Sequence, residues 1–74
     1  AEAAEHYLDG LALAEANDFR LLQGELLARL GEVETERSTR MNYLQRSLTV
    51  FRDLGAVDRM RDVQTEVHRA IMGP

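Results

Sequence analysis

The sequence predicts an all-α fold of four short helices, folded back on one another as two helical hairpins. Three observations lead there. Apolar residues recur three and four positions apart through stretches rich in Ala, Leu, Glu and Arg, which are good helix formers. The β-branched residues are scattered rather than alternating with polar ones, so no strand pattern emerges. The breakers at Asn17-Asp18, Thr35 to Ser38 and Gly55 leave room only for brief turns, which force consecutive helices to lie antiparallel.

The first helix is predicted over 2 to 16, with Ala4, Tyr7 or Leu8, Leu11, and Ala14 or Glu15 on one face. Asn17 has a short side chain able to accept from free amides, and is the predicted N-cap of a helix from 18 to about 34. The core stripe of that helix is Phe19, Leu22, Leu26, Leu30 and Val33. Thr35 to Ser38 form a polar turn, and Ser38 or Thr39 caps a third helix to about Leu54, with Met41, Leu44, Leu48 and Phe51 inward. Gly55 suits its C-terminus. Asp58 is the cap predicted for a last helix over about 59 to 72, with Met60, Val63, Val67 and Ile71 on one face. Gly10 and Gly24 fall inside helices, where each costs roughly 1 kcal/mol against Ala, so both point to close helix crossings.

Residues 1 to 74 form one domain on this reading. A chain of that length buries only about 60% of its unfolded surface, so its core is small. Ala1 stands where an initiator Met would be, which predicts a piece of a longer protein. Pro74 is the only proline.

Two internal matches organise the helices. Helix one maps onto helix three at a shift of 37, pairing Tyr7 with Leu44, Gly10 with Ser47, Leu11 with Leu48 and Ala14 with Phe51. Helix two maps onto helix four at a shift of 41, pairing Asn17 with Asp58, Arg20 with Arg61, Gln23 with Gln64 and Glu25 with Glu66. Within this pattern, Leu27-Ala-Arg-Leu30-Gly31 and Tyr43-Leu-Gln-Arg-Ser47-Leu48 resemble the first-helix and second-helix signatures of the tetratricopeptide repeat family. Gly10-Leu11-Ala12-Leu13-Ala14 is similar to the same second-helix position. Ser47 to Gly55 resembles the divergent repeats of bacterial signalling ATPases, transcription activators and cyclase-linked regulators. The turn after Gly31 is shorter than the family's, and the proline that closes a repeat is missing.

Charge and composition exclude several functions. The net charge of −4 disfavours nucleic acid, whose binding rests on Lys and Arg at phosphates. Residues 1 to 36 carry nine acids against Arg20 and Arg29, and residues 37 to 74 carry four acids against seven arginines, so the halves have opposite sign. The chain has no Lys, which removes phosphate-loop and Schiff-base lysines, and no Cys, which removes disulfides and thiolate metal sites. No apolar run is long enough to span a bilayer, so no membrane role is expected and a cytoplasmic setting is. His6 and His68 lie far apart in sequence and do not converge on a metal. Glu32, Glu34 and Glu36 read as a solvated acidic run rather than a cation site. The widely separated glycines make no phosphate loop. Ser38, Ser47, Thr35 and Tyr43 lack an adjacent base. The expectation is a chain that is not an enzyme and uses no cofactor.

The resemblance implies a function in holding another protein. Family ligands lie against the concave wall built by each repeat's first helix, here helices two and four. That implies a partner-binding set of Leu21, Glu25, Ala28 and Glu32 with Asp62, Glu66 and Arg69. Their mixed sign suits a protein or peptide ligand with charges of its own. The alternatives are a self-associating dimerisation element, or stacking on flanking repeats, driven by the opposite-signed halves. A third reading is nucleic-acid contact through Arg40, Arg52, Arg59, Arg61 and Arg69.

Overall fold

The helix-forming stretches become helices close to where their breakers stand. In the computed structural model, which describes residues 2 to 73, the order is α1 (Glu2–Ala16), α2 (Arg20–Val33), α3 (Arg37–Leu54) and α4 (Val57–Met72). No strand occurs among the described residues. Ala1 and Pro74 lie outside them.

The α1–α2 and α3–α4 turns are one motif made twice. Asp18 takes the left-handed conformation at φ 55°, and Gly55 does the same at φ 70°. After Asp18, the Phe19 amide donates to the Ala14 carbonyl at 2.8 Å; after Gly55, the Ala56 amide donates to the Phe51 carbonyl at 2.9 Å. These are the long bonds of a Schellman cap, which satisfy carbonyls the helix end leaves free. Phe19 and Ala56 then open the next helices with nearly the same dihedrals, φ −83°, ψ 81° and φ −82°, ψ 76°. Corresponding atoms therefore lie 37 residues apart through the turn and into the following helix. The match of helix two to helix four at 41 is one helical turn out of that register.

Three expected caps are corrected. Asn17 caps the preceding helix, with its side-chain amide donating to the Leu13 carbonyl at 2.8 Å, and α2 starts at Phe19 with no side-chain cap. Asp58 sits inside the first turn of α4, behind Ala56 as N-cap; its carboxylate there faces the positive end of the helix dipole. Ser38 and Thr39 donate rather than cap. The N-cap of α3 is Glu36, whose carboxylate accepts from the Ser38 amide at 3.2 Å and the Thr39 amide at 2.8 Å, and from both hydroxyls. Glu34 accepts the Thr35 and Glu36 amides, each at 3.0 Å, so this acidic run organises a turn.

Two apolar clusters share the middle helices. Leu11 of α1, Leu27 and Leu30 of α2 and Val50 of α3 form one, with Ala4, Tyr7, Leu26 and Tyr43 against it. Leu44 and Phe51 of α3 with Val63 of α4 form the other, joined by Ala28, Met41, Leu48, Met60 and Val67. The stripe expected on α2 is rotated. Phe19, Leu22 and Val33 are 57%, 42% and 39% exposed, whereas Gly24, Leu27 and Gly31 are buried beside the expected Leu30. The cause is a close approach to α3 along the two glycines, a contact that a count of large apolar residues does not register. On α1 the alternatives resolve to Tyr7 and Ala14, with Leu8 exposed; at the end of α4, Ile71 is exposed.

A Cβ on Gly24 would stand 2.6 Å from the Phe51 ring, and one on Gly31 would stand 2.5 Å from Leu44. Phe51 and Leu44 are fully packed and cannot swing away. Between those glycines the Ser47 hydroxyl, itself buried, donates to the Gly24 carbonyl at 2.8 Å.

Overpacking a core costs about 1 to 3 kcal/mol, against a helix-propensity gain of about 1 kcal/mol for Gly to Ala. Gly24→Ala and Gly31→Ala are therefore expected to destabilise the fold by up to about 2 kcal/mol in urea unfolding. Gly10→Ala, whose Cβ would meet only the half-buried Leu26 side chain at 3.3 Å, is expected to stabilise it. The same sign at all three positions would contradict this account.

Hydrogen bonds from the Thr39 hydroxyl and amide, then from those of Ser38, pull the Glu36 carboxyl down from the ordinary 4.5 to about 2. A depressed folded-state value means that the cap contributes its stability above the unfolded value and loses it as pH falls through the folded one. Carbon-13 titration of the Glu36 carboxylate is expected to give a midpoint near 2, moving back toward 4.5 when Ser38 and Thr39 are both changed to Ala. An ordinary midpoint in the unmodified chain would show that the cap does not form.

Candidate partner-binding surface

Along α4, Arg59, Asp62 and Val63 fall on one side at helical spacing, and Arg59 reaches Glu25 of α2. Val63 is 4% exposed and packs with Phe51 and Ala28, which draws the flanking polar residues of α2 and α4 together. The result is an open groove of about 380 Å³, lined by Glu25, Ala28, Arg29 and Glu32 of α2 and by Arg59, Asp62 and Val63 of α4, with Phe51 at its base.

The groove is apolar below and charged at its rim. Arg59 reaches across to Glu25 at 2.9 Å, and Arg29 pairs with Glu32 at 3.4 Å on its own helix. Both pairs are roughly half exposed, where such bridges are worth at most about 1 kcal/mol, and only Arg59–Glu25 joins the two helices. Asp62 makes no salt bridge among the described residues. The rim thus offers one free carboxylate and two guanidinium groups whose partners a ligand can replace.

Four of the seven implied wall residues, Glu25, Ala28, Glu32 and Asp62, meet in this groove. Leu21 lies beside it, 43% exposed, in a neighbouring hollow with Phe19, Arg20, Leu22 and Glu25. Glu66 and Arg69 pair with each other at 2.9 Å and do not line the groove; Arg69 borders a separate hollow with Arg61, Gln64, Thr65 and His68. Sequence reasoning did not set Arg29, Arg59, Val63 and Phe51 at this surface, having Val63 and Phe51 as core and Arg59 as a nucleic-acid contact. The spacing of Arg59 from Asp62 and Glu66 was a usable signal for that residue.

Of the five arginines considered for nucleic acid, Arg59 holds Glu25, Arg69 holds Glu66 and Arg52 lies 3.7 Å from Asp53. His6 and His68 are both exposed. Among the described residues no helix is long and apolar enough to cross a membrane. Comparison of the chain with protein-family models, with curated proteins and with solved structures finds no match.

Proposed function

We propose that this chain is a non-catalytic protein-interaction module of the tetratricopeptide type, and that the α2–α4 groove holds a peptide or helix of a partner. The observation that carries the reading is the groove itself, an apolar floor of Ala28, Val63 and Phe51 under a rim of mixed charge. Such a site suits an extended or helical ligand with one apolar anchor and both signs of charge.

Several features support the helical-hairpin architecture. Contacts between α2 and α3 run from Arg20 with Asp53, through Gly24 with Phe51 and Ser47, to Gly31 with Leu44, so that one number rises as the other falls. That is the order two antiparallel helices give. The Schellman turn repeated after 37 residues is what two copies of one helix-turn-helix unit would make. Principal extents of 37, 31 and 15 Å fit a slab two helices thick. The resemblance of Ser47 to Gly55 to the divergent repeats of bacterial regulators supports reading the module as part of a cytoplasmic signalling or transcription-regulating protein.

Selection from a displayed random-peptide library tests the proposal, with binding sites mapped by amide shifts. Selected peptides are expected to perturb Glu25, Ala28, Glu32 and Asp62, and to lose at least about tenfold in affinity against Ala28→Arg, which fills the groove. Ligands that map elsewhere, or a library that yields none, would overturn it.

A further inference from the structure

We infer that copies of this chain associate head to tail, with α4 and α3 of one copy against α1 of the next. The inference rests on the two-unit reading above, in which corresponding positions lie 37 residues apart.

Under that correspondence, surface residues of the first unit match interior residues of the second. Val50 is 9% exposed because it packs on Leu11, Leu27 and Leu30 of the preceding elements. Its counterpart, Leu13, is 65% exposed. If a second copy stood before α1 as α2 stands before α3, Leu13 would rest on the counterparts of those three residues: Leu48, Gln64 and Val67. Leu48 and Val67 are only half buried as they stand. In the same way the Arg20–Asp53 contact becomes Val57, 62% exposed, against Ala16 of the next copy. Two exposed apolar side chains are covered by one placement.

Size and charge complement one another there as well. Inside the chain the small residues Gly24 and Gly31 lie on α2, facing Phe51 and Leu44. Between copies the pattern inverts, with Arg61 of α4 beside Gly10 of α1, while His68 meets Tyr7. Helix α1 carries Glu2, Glu5, Asp9 and Glu15 and no basic residue. The internal Arg46–Glu15 pair, at 3.8 Å, becomes Asp9 of one copy against Arg52 of the other, again opposite in sign. Arg61 makes no salt bridge among the described residues, and it faces this acidic helix.

Because α4 offers Arg61, Gln64 and His68 where α2 offers Gly24, Leu27 and Gly31, the joint between copies is more polar than the internal one. Its dissociation constant is expected on the order of 100 µM, weakening as salt rises. A head-to-tail contact does not close on itself at two copies, so mass should grow with concentration past the dimer.

Complementary edge variants provide the test, read by sedimentation with helicity checked by circular dichroism. Leu13→Glu spoils the α1 edge and Arg61→Glu spoils the α4 edge, both at exposed helical positions. Each variant alone is expected to sediment as a monomer, and an equimolar mixture to form a dimer that goes no further. Arg52→Glu should weaken association about tenfold, and Asp9→Arg in the same chain should restore it. An unmodified chain that stays monomeric at about 1 mM, one that stops at two copies, or a variant mixture that fails to pair would each overturn the inference. Peptide binding in the groove by Leu13→Glu is expected to be unchanged, which separates this outcome from the fate of the groove.

Discussion

Everything in this fold is arranged around one close approach, where α2 lays Gly24 and Gly31 against Phe51 and Leu44 of α3 with the Ser47 hydroxyl on the Gly24 carbonyl. The absent side chains let the two backbones come near enough for a buried serine to find a main-chain partner instead of a costly vacancy. Both apolar clusters draw on this pair. Leu27 and Leu30 with Val50 support α1, and Leu44 with Phe51 supports α4 through Val63. A small domain has little core to divide, and here the middle helices serve in both parts of it.

That constraint also fixes the candidate binding surface. With α2 turned so that its glycines meet α3, Glu25, Ala28 and Glu32 face α4, and Val63 is drawn in beside Phe51. The same turn carries Phe19 and Leu22 outward. The apolar hollow around Leu21 is thus a consequence of how α2 is seated, and it adjoins the groove at Glu25.

The helices were legible in the sequence because their breakers are local signals and their apolar spacing is regular, and on α3, and on α4 as far as Val67, the inward faces follow that spacing. On α2 they do not. Gly24, whose place inside a helix does signal a close crossing, and Gly31 define the buried face, whereas the spacing of large apolar residues alone turns Phe19, Leu22 and Val33 inward. The caps failed for a related reason. Asn17, Ser38 and Asp58 are good cap residues, but each start is decided by what precedes it: a Schellman turn hands α2 and α4 their first residue, and Glu36 has the reach to take two amides. The register of α4 against α2 went astray because identities at Arg61, Gln64 and Glu66 lie one helical turn from the positions that the turn geometry pairs. Glu25, Ala28, Glu32 and Asp62 meet in the groove because Val63 packs in the cluster of Phe51 and Ala28 and Arg59 reaches Glu25, whereas Glu66 and Arg69 pair with each other outside it.

The most direct measurement of the claim that the α2–α3 contact organises the fold is native-state hydrogen exchange across the four helices. The slowest amides should lie in α2 and α3, around Leu27, Leu30, Leu44 and Ser47, opening only with global unfolding, while those of α1 and α4 open at lower free energy. A slowest set located in α1 or α4, with α2 and α3 exchanging before it, would contradict the account.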